Sequence, residues 1–169
     1  PNPNRSGHIL LEGIGGKQAS NILIQNNIFY YPRDYAVHLS NNGVDNYQNI
    51  VIRNNLTYGA VTINPDYIIS ASDYTIENNI EGQDPLFTDG NNLDFHLQSN
   101  SPVIDAGTSQ NAPTTDFEGT PRPQGSAWDI GADEYGAGTT GPICGKNGCE
   151  PGETSQSCPQ DCPGSTGNQ

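Results

Sequence analysis

The chain has 169 residues, 32% of them apolar, and a formal net charge of −13. That length holds one domain with a core plus an appendage, but so low an apolar fraction excludes a thick conventional core. Residues 1–60 carry four Lys/Arg against three Asp/Glu and residues 61–169 carry two against sixteen, an acidic surface that argues against nucleic acid or anionic lipid as partners.

The chain opens on Pro1-Asn2-Pro3-Asn4, which reads as a mature or trimmed start. His8-Ile9-Leu10-Leu11 is a first short apolar run. Ile22-Leu23-Ile24-Gln25-Asn26-Asn27-Ile28 follows, and it returns as Ile50-Val51-Ile52-Arg53-Asn54-Asn55-Leu56 and as Tyr74-Thr75-Ile76-Glu77-Asn78-Asn79-Ile80. The three heptapeptides align without gaps, and between them Ala36-Val37-His38-Leu39 and Ala60-Val61-Thr62-Ile63 supply a further strand per repeat. Repeats of this period indicate a solenoid, whose thin core needs only a few inward residues per turn.

Within each heptapeptide the alternation of Ile22 and Ile24 with Leu23 and Gln25 is that of a strand with one buried face. The Asn-Asn pair ends the strand, because Asn tolerates left-handed backbone angles. Ile28, Leu56 and Ile80 are expected to turn inward again after the bend. Stacking would place Asn26 over Asn54 over Asn78 as a structural Asn ladder whose amides bond from repeat to repeat. It would also place Arg53 beside Glu77, an exposed pair worth at most about 1 kcal/mol.

The I-x-I-x-N-N-I repeat resembles the coils of right-handed parallel β-helix repeat surface proteins of the pectate-lyase-like superfamily. The string Asp84-Pro85-Leu86-Phe87, Asp94-Phe95-His96-Leu97, Ser101-Pro102-Val103-Ile104-Asp105-Ala106-Gly107, Asp116 to Arg122 and Asp129-Ile130-Gly131-Ala132-Asp133-Glu134-Tyr135 resembles the choice-of-anchor-type C-terminal module of such proteins. The expected fold is therefore all-β, a right-handed parallel β-helix (β-solenoid) with a C-terminal disulfide-rich mini-module. Residues 1–135 form the coils, with regular repeats at about 8–83 and a cap at about 84–135 that ends the ladder. Residues 136–143 are a linker, 144–162 a Cys-rich module and 163–169 a polar tail.

All four cysteines, Cys144, Cys149, Cys158 and Cys162, fall in that module. Their C-x4-C-x8-C-x3-C spacing lacks the C-x2-C knuckles of most zinc sites and reads as two disulfides, hence a secreted or cell-surface protein. The module resembles a short Cys-rich element at the ends of microbial secreted proteins. Asn147, Glu150, Glu153 and Asp161 offer oxygen ligands suited to Ca²⁺, although the disulfides alone would also hold so short a segment.

No catalytic set emerges. Arg53 is absorbed by the Glu77 pair, no Asp pair recurs in register, and His38 and His96 read as packed structural residues. Tyr30, Tyr31, Tyr35 and Tyr58 are candidate glycan contacts, since tyrosines on a rigid wall stack on sugar faces; stacking on one another is the competing reading. Asn4 and Asn55 begin N-x-Ser/Thr glycosylation patterns, and Asn55 also sits in the repeating turn. No apolar stretch approaches the ~20 residues of a membrane span. The expected function is an extracellular structural β-solenoid that self-associates end to end, or stacks on a missing N-terminal part of the same protein, or displays carbohydrate-contacting walls. The alternative is the C-terminal part of a polysaccharide lyase or glycoside hydrolase whose active site lies on other coils.

Overall fold

The computed structural model describes residues 7–11, 17–32, 35–40, 44–59, 63–65 and 69–136. The chain divides into two compact units, Pro1–Tyr135 and Gly136–Gln169, and of the second only Gly136 is described.

The described part is all-β apart from one 3-10 turn at Gly90–Asn92. In chain order the strands are β1 (Gly7–Leu11), β2 (Lys17–Gln25), β3 (Ile28–Tyr30), β4 (Tyr35–Leu39), β5 (Val44–Arg53), β6 (Leu56–Tyr58), β7 (Asn64–Pro65), β8 (Tyr74–Glu77), β9 (Ile80–Glu81), β10 (Phe87–Asp89) and β11 (Asp94–Leu97). Every third strand pairs. The sheets β1-β4-β7, β2-β5-β8 and β3-β6-β9 are parallel, and β10 pairs antiparallel with β11. The heptapeptides stack as their alignment requires, with Ile24 opposite Ile52 opposite Ile76 and Gln25 opposite Arg53 opposite Glu77. Arg53 comes within 3.9 Å of Glu77 and also donates to the side-chain oxygens of Gln25 and Gln110.

Ile24, Ile50 and Ile52 of the β2-β5-β8 sheet pack with Ala36, Val37 and Leu39 of β4 in one core cluster, which Phe29 of β3 also joins. Val37, Leu39, Ile50 and Ile52 are wholly buried, and each contributes roughly 1.5–3 kcal/mol relative to an exposed position.

The bends explain the rest. Asn26, Asn54 and Asn78 take left-handed angles (φ 55°, 49° and 53°), a conformation open to Asn at low cost. The amide column, however, runs one position further on, through Asn27, Asn55 and Asn79, and not through Asn26, Asn54 and Asn78. Asn55 Oδ1 accepts from both the backbone N–H and the side-chain amide of Asn27 (3.0 and 2.9 Å), and Asn79 Oδ1 accepts in the same way from Asn55 (3.0 Å each). The amides of Asn55 and Asn79 donate back to Ile24 O and Ile52 O of the preceding repeat. Asn55 is fully buried by these bonds, so its N-x-Thr pattern offers no accessible glycosylation site.

The left-handed residue also reverses strand parity. In an unbroken strand Ile24 and Ile28 would share a face. Here Phe29 joins the first cluster, while Ile28, Leu56 and Ile80 line a second cluster with Leu97, Val103 and Ile130. The expected inward return of Ile28, Leu56 and Ile80 is thus corrected: they face the chain that follows the repeats.

That chain is not confined to the last repeat as an end cap would be. Asn26 exchanges two hydrogen bonds with the Thr108 backbone (2.8 and 3.1 Å), Asn54 donates to Ala106 O (3.0 Å), and Gly131 N–H reaches Asn26 O (3.1 Å). Residues 97–131 therefore brace the flank of the repeats. At Gly107 a Cβ would meet the Trp128 and Asp129 carbonyl oxygens at 2.7 and 2.8 Å, so only glycine permits this backbone approach.

Replacing Asn55 by alanine strands the Asn27 N–H and removes the side-chain bonds to Asn79 Oδ1 and Ile24 O, with an expected cost of about 2–3 kcal/mol. Asn78→Gly keeps the left-handed turn and should change stability by no more than about 0.5 kcal/mol. Urea unfolding of the two variants against the parent checks which Asn column carries the stack.

Candidate functional site: an aromatic cleft at the free edge of β3

Among the described residues β1, β2 and β3 are the first strands of their sheets, each paired on one side only. Beside β3 opens a cleft of about 630 Å³, lined by His8, Phe29, Tyr30, Phe87, Phe95 and Leu97, with Asn26, Asn27 and Asp133 supplying polar groups. Apolar walls with a few placed polar groups are the usual make-up of a binding cleft.

Asn27 makes this edge chemically distinct. Its amide turns back to Gln25 O (2.8 Å) instead of reaching a preceding repeat, as the amides of Asn55 and Asn79 do. Among the described residues no donor reaches Asn27 Oδ1, the atom that accepts two bonds at each later rung.

Tyr30, Tyr31 and Tyr58 form one cluster. Ring centroids are 4.7 Å apart for Tyr30–Tyr31, 5.2 Å for Tyr31–Tyr58 and 5.8 Å for Tyr30–Tyr58, and Phe87 lies 5.2 Å from Tyr30. Tyr30 and Tyr58 are register partners in β3 and β6. Tyr31 lies over Gly59, where a Cβ would meet its ring at 2.3 Å. Hydrogen bonding with Tyr31 and Asp84, reinforced by the Asp84 charge, pushes the Tyr58 hydroxyl up to about 12, and burial raises Tyr30. Both phenols stay protonated at neutral pH. Tyr35 is on β4, its ring 4.8 Å from that of His38. The rings thus spend much of their surface on one another, and Tyr31 alone of the four keeps more than half its surface exposed.

Asp133 leads from the cleft to a second group. Asp94 and His96 project from one face of β11, and Asp94 Oδ1 holds His96 Nδ1 at 2.5 Å. His96 Nε2 faces Glu118 Oε1 at 3.3 Å. Glu118 is presented by a turn in which Asp116 Oδ1 accepts from the Glu118 and Thr120 N–H groups (2.9 and 2.7 Å). Asp133 Oδ2 accepts from Leu97 N–H at 2.8 Å. Burial works against the His96 imidazolium, but the bonds to Asp94 and Glu118 and the nearby carboxylates outweigh it and raise its pKa; burial raises Asp133 as well. Sequence reasoning missed this group. The Asp-x-His spacing on a strand was its only local sign.

The charged residues of the terminal string hold the loop that carries Asp133. Arg122, buried, donates to the carbonyls of Asp129, Gly131 and Ala132 (3.1, 2.9 and 2.7 Å) and lies 3.6 Å from the buried Glu134. Glu134 accepts from Gln124 and Asp129 N–H, and Asp129 from Asp105 and Tyr135 N–H. Each buried charge here therefore makes hydrogen bonds, as burial demands, although Arg122 Nε has no partner among the described residues. Cys144, Cys149, Cys158 and Cys162, the Ca²⁺ candidates Asn147, Glu150, Glu153 and Asp161, and Asn4 lie outside the described residues.

Burial raises Asp129 to about 6 against the pull of its two N–H donors, above roughly 3.9 in an unfolded chain. The folded state then binds this proton more tightly, so stability falls as pH rises from about 4 to about 6. Asp133 acts in the same sense. The His96 contribution is complete below about 6.5 and is lost as pH rises through its folded pKa. The urea midpoint should be higher at about pH 5 than at about pH 7, with a smaller difference in Asp129→Asn; an equal or reversed order would contradict this assignment.

No protein-family profile, curated protein or solved structure matches this chain.

Proposed function

We propose that residues 7–135 are part of a right-handed parallel β-helix of an extracellular surface protein, with a structural role, and that the edge formed by β1, β2 and β3 receives a further repeat of the same kind. The observation that carries this reading is the rung at Asn27, whose Oδ1 no donor reaches among the described residues. An Asn from an added repeat would donate its N–H and amide to Asn27 Oδ1, and Asn27 would turn its own amide to that repeat, as Asn55 and Asn79 do. The extracellular setting rests on the clustered cysteines and the handedness on the resemblance of the repeat.

The opposite edge is unlike this one. Phe29, Thr57 and Glu81 are register partners on successive strands, so Glu81 occupies the column that Phe29 fills with an aromatic ring. Stacking that edge of one copy on β3 of another would bury the Glu81 carboxylate against Phe29, at a cost of several kcal/mol. An inward charge on an edge strand is a known guard against such pairing. The added repeat is therefore better supplied by a further repeat with an uncharged residue at that position than by an identical copy.

A second reading uses the same cleft for a saccharide, with Phe87 and Phe95 as stacking faces and Asn26, Asn27 and Asp133 as hydroxyl partners. It is the form in which carbohydrate contact, alone or beside an active site on other coils, fits this geometry.

Removing the guard tests the structural reading. The parent chain should run as single particles in sizing and negative-stain microscopy, and Glu81→Val should stack end to end. Adding Asn27→Ala to Glu81→Val should abolish stacking. A Glu81→Val chain that stays single, or a double variant that stacks equally well, would overturn the proposal.

A further inference from the structure

We propose that His96, Glu118 and Asp133 form a three-ligand site for a divalent transition metal of the zinc class, with Asp94 as the partner that orients the imidazole.

The argument begins with His96 Nδ1. At 2.5 Å from a carboxylate oxygen it must carry the proton, so in the neutral imidazole Nε2 is the bare nitrogen. That atom is buried from solvent and, with the proton on Nδ1, has none to donate to the neighbouring Glu118. It faces Glu118 Oε1 at 3.3 Å, and one ligand atom from each of His96, Glu118 and Asp133 lies within 4.8 Å of the others. A bare lone pair directed at carboxylate oxygens is repulsive unless a proton or a metal cation stands between them. A tetrahedral ion with bonds of about 2.0–2.1 Å sets its ligands about 3.3 Å apart, the separation already present between His96 and Glu118.

The surroundings are those of a prepared site. A carboxylate on the far nitrogen of a ligating histidine fixes its tautomer and raises its basicity, and Asp94 does this from the same strand. Asp133 is nine-tenths buried, with one oxygen occupied by Leu97 N–H. Glu118 is about half exposed on its side chain, which leaves an entry path. Its turn is fixed by Asp116 and by the Phe117 N–H to Ala132 O bond of 3.0 Å. An imidazole with two carboxylates suits zinc or a neighbouring first-row ion better than Ca²⁺, which takes six to eight oxygens. Three protein ligands leave a fourth position open to water. Such an ion would tie β11, the 116–120 turn and the 129–135 loop together.

The test uses the full chain with its cysteines oxidised, freed of metal by chelator and titrated at neutral pH with Zn²⁺, and in parallel with Co²⁺ followed by its visible spectrum. One equivalent should bind with the spectrum of nitrogen and oxygen ligands and no thiolate charge-transfer band, and Zn²⁺ should raise the melting temperature. His96→Ala and Glu118→Gln should abolish this binding, and Asp94→Asn should weaken it by about 10–100-fold. Glu118→Gln, at an exposed side chain, keeps the test valid if His96→Ala misfolds. No saturable binding would show that a proton alone bridges His96 and Glu118 and would overturn the proposal. Binding undiminished in Glu118→Gln and His96→Ala would overturn it equally.

Discussion

The left-handed turn at the first Asn of each pair, with the amide column at the second, is the constraint on which the described structure depends. A single left-handed residue bends the strand and reverses which side chains face which way. The next residue's carboxamide then fills the inside of the bend, accepting two bonds from the repeat before it and donating one back. Buried turns carry backbone groups that water cannot reach, and an amide with both donor and acceptor at a fixed spacing satisfies them. Each rung also sets the register of the next, so strands as short as β6 and β9 pair in register.

Parity reversal gives the repeats two apolar faces. One closes over the cluster of Ile24, Ile50, Ile52 and Leu39; the other presents Ile28, Leu56 and Ile80, which residues 97–131 must cover. The terminal segment is short of regular structure, and hydrogen-bonded charges hold it instead. Arg122 gathers four carbonyls and a carboxylate, while Asp129 and Glu134 accept backbone N–H groups that no strand partner satisfies. The same clamp sets Asp133 at the meeting point of the cleft and the His96 group.

The two edges of the sheets differ in chemistry although they arise from the same repeat. At β3 the column shows Phe29, beside an Asn27 amide oxygen that no donor reaches among the described residues; at β9 it shows Glu81. An apolar edge gains by being covered and a charged one loses, so the two edges favour different neighbours.

The sequence by itself determined the strands, their stacking and the sites of the bends. Three aligned heptapeptides place Ile24, Ile52 and Ile76 in one column and Arg53 beside Glu77, and Asn is the residue that tolerates the turn; these are properties of neighbours in the chain and of its period. Tertiary structure decided which Asn makes the amide column, because that depends on where the bend points the side chain. It decided that Ile28 faces the terminal segment, since one left-handed residue alters parity and residue types do not record it. It also brought Asp94, His96, Glu118 and Asp133 together from three separate segments. Only Asp94 and His96 share a strand, so no local pattern could announce the set; the covering of a second apolar face is what folds those segments onto one another.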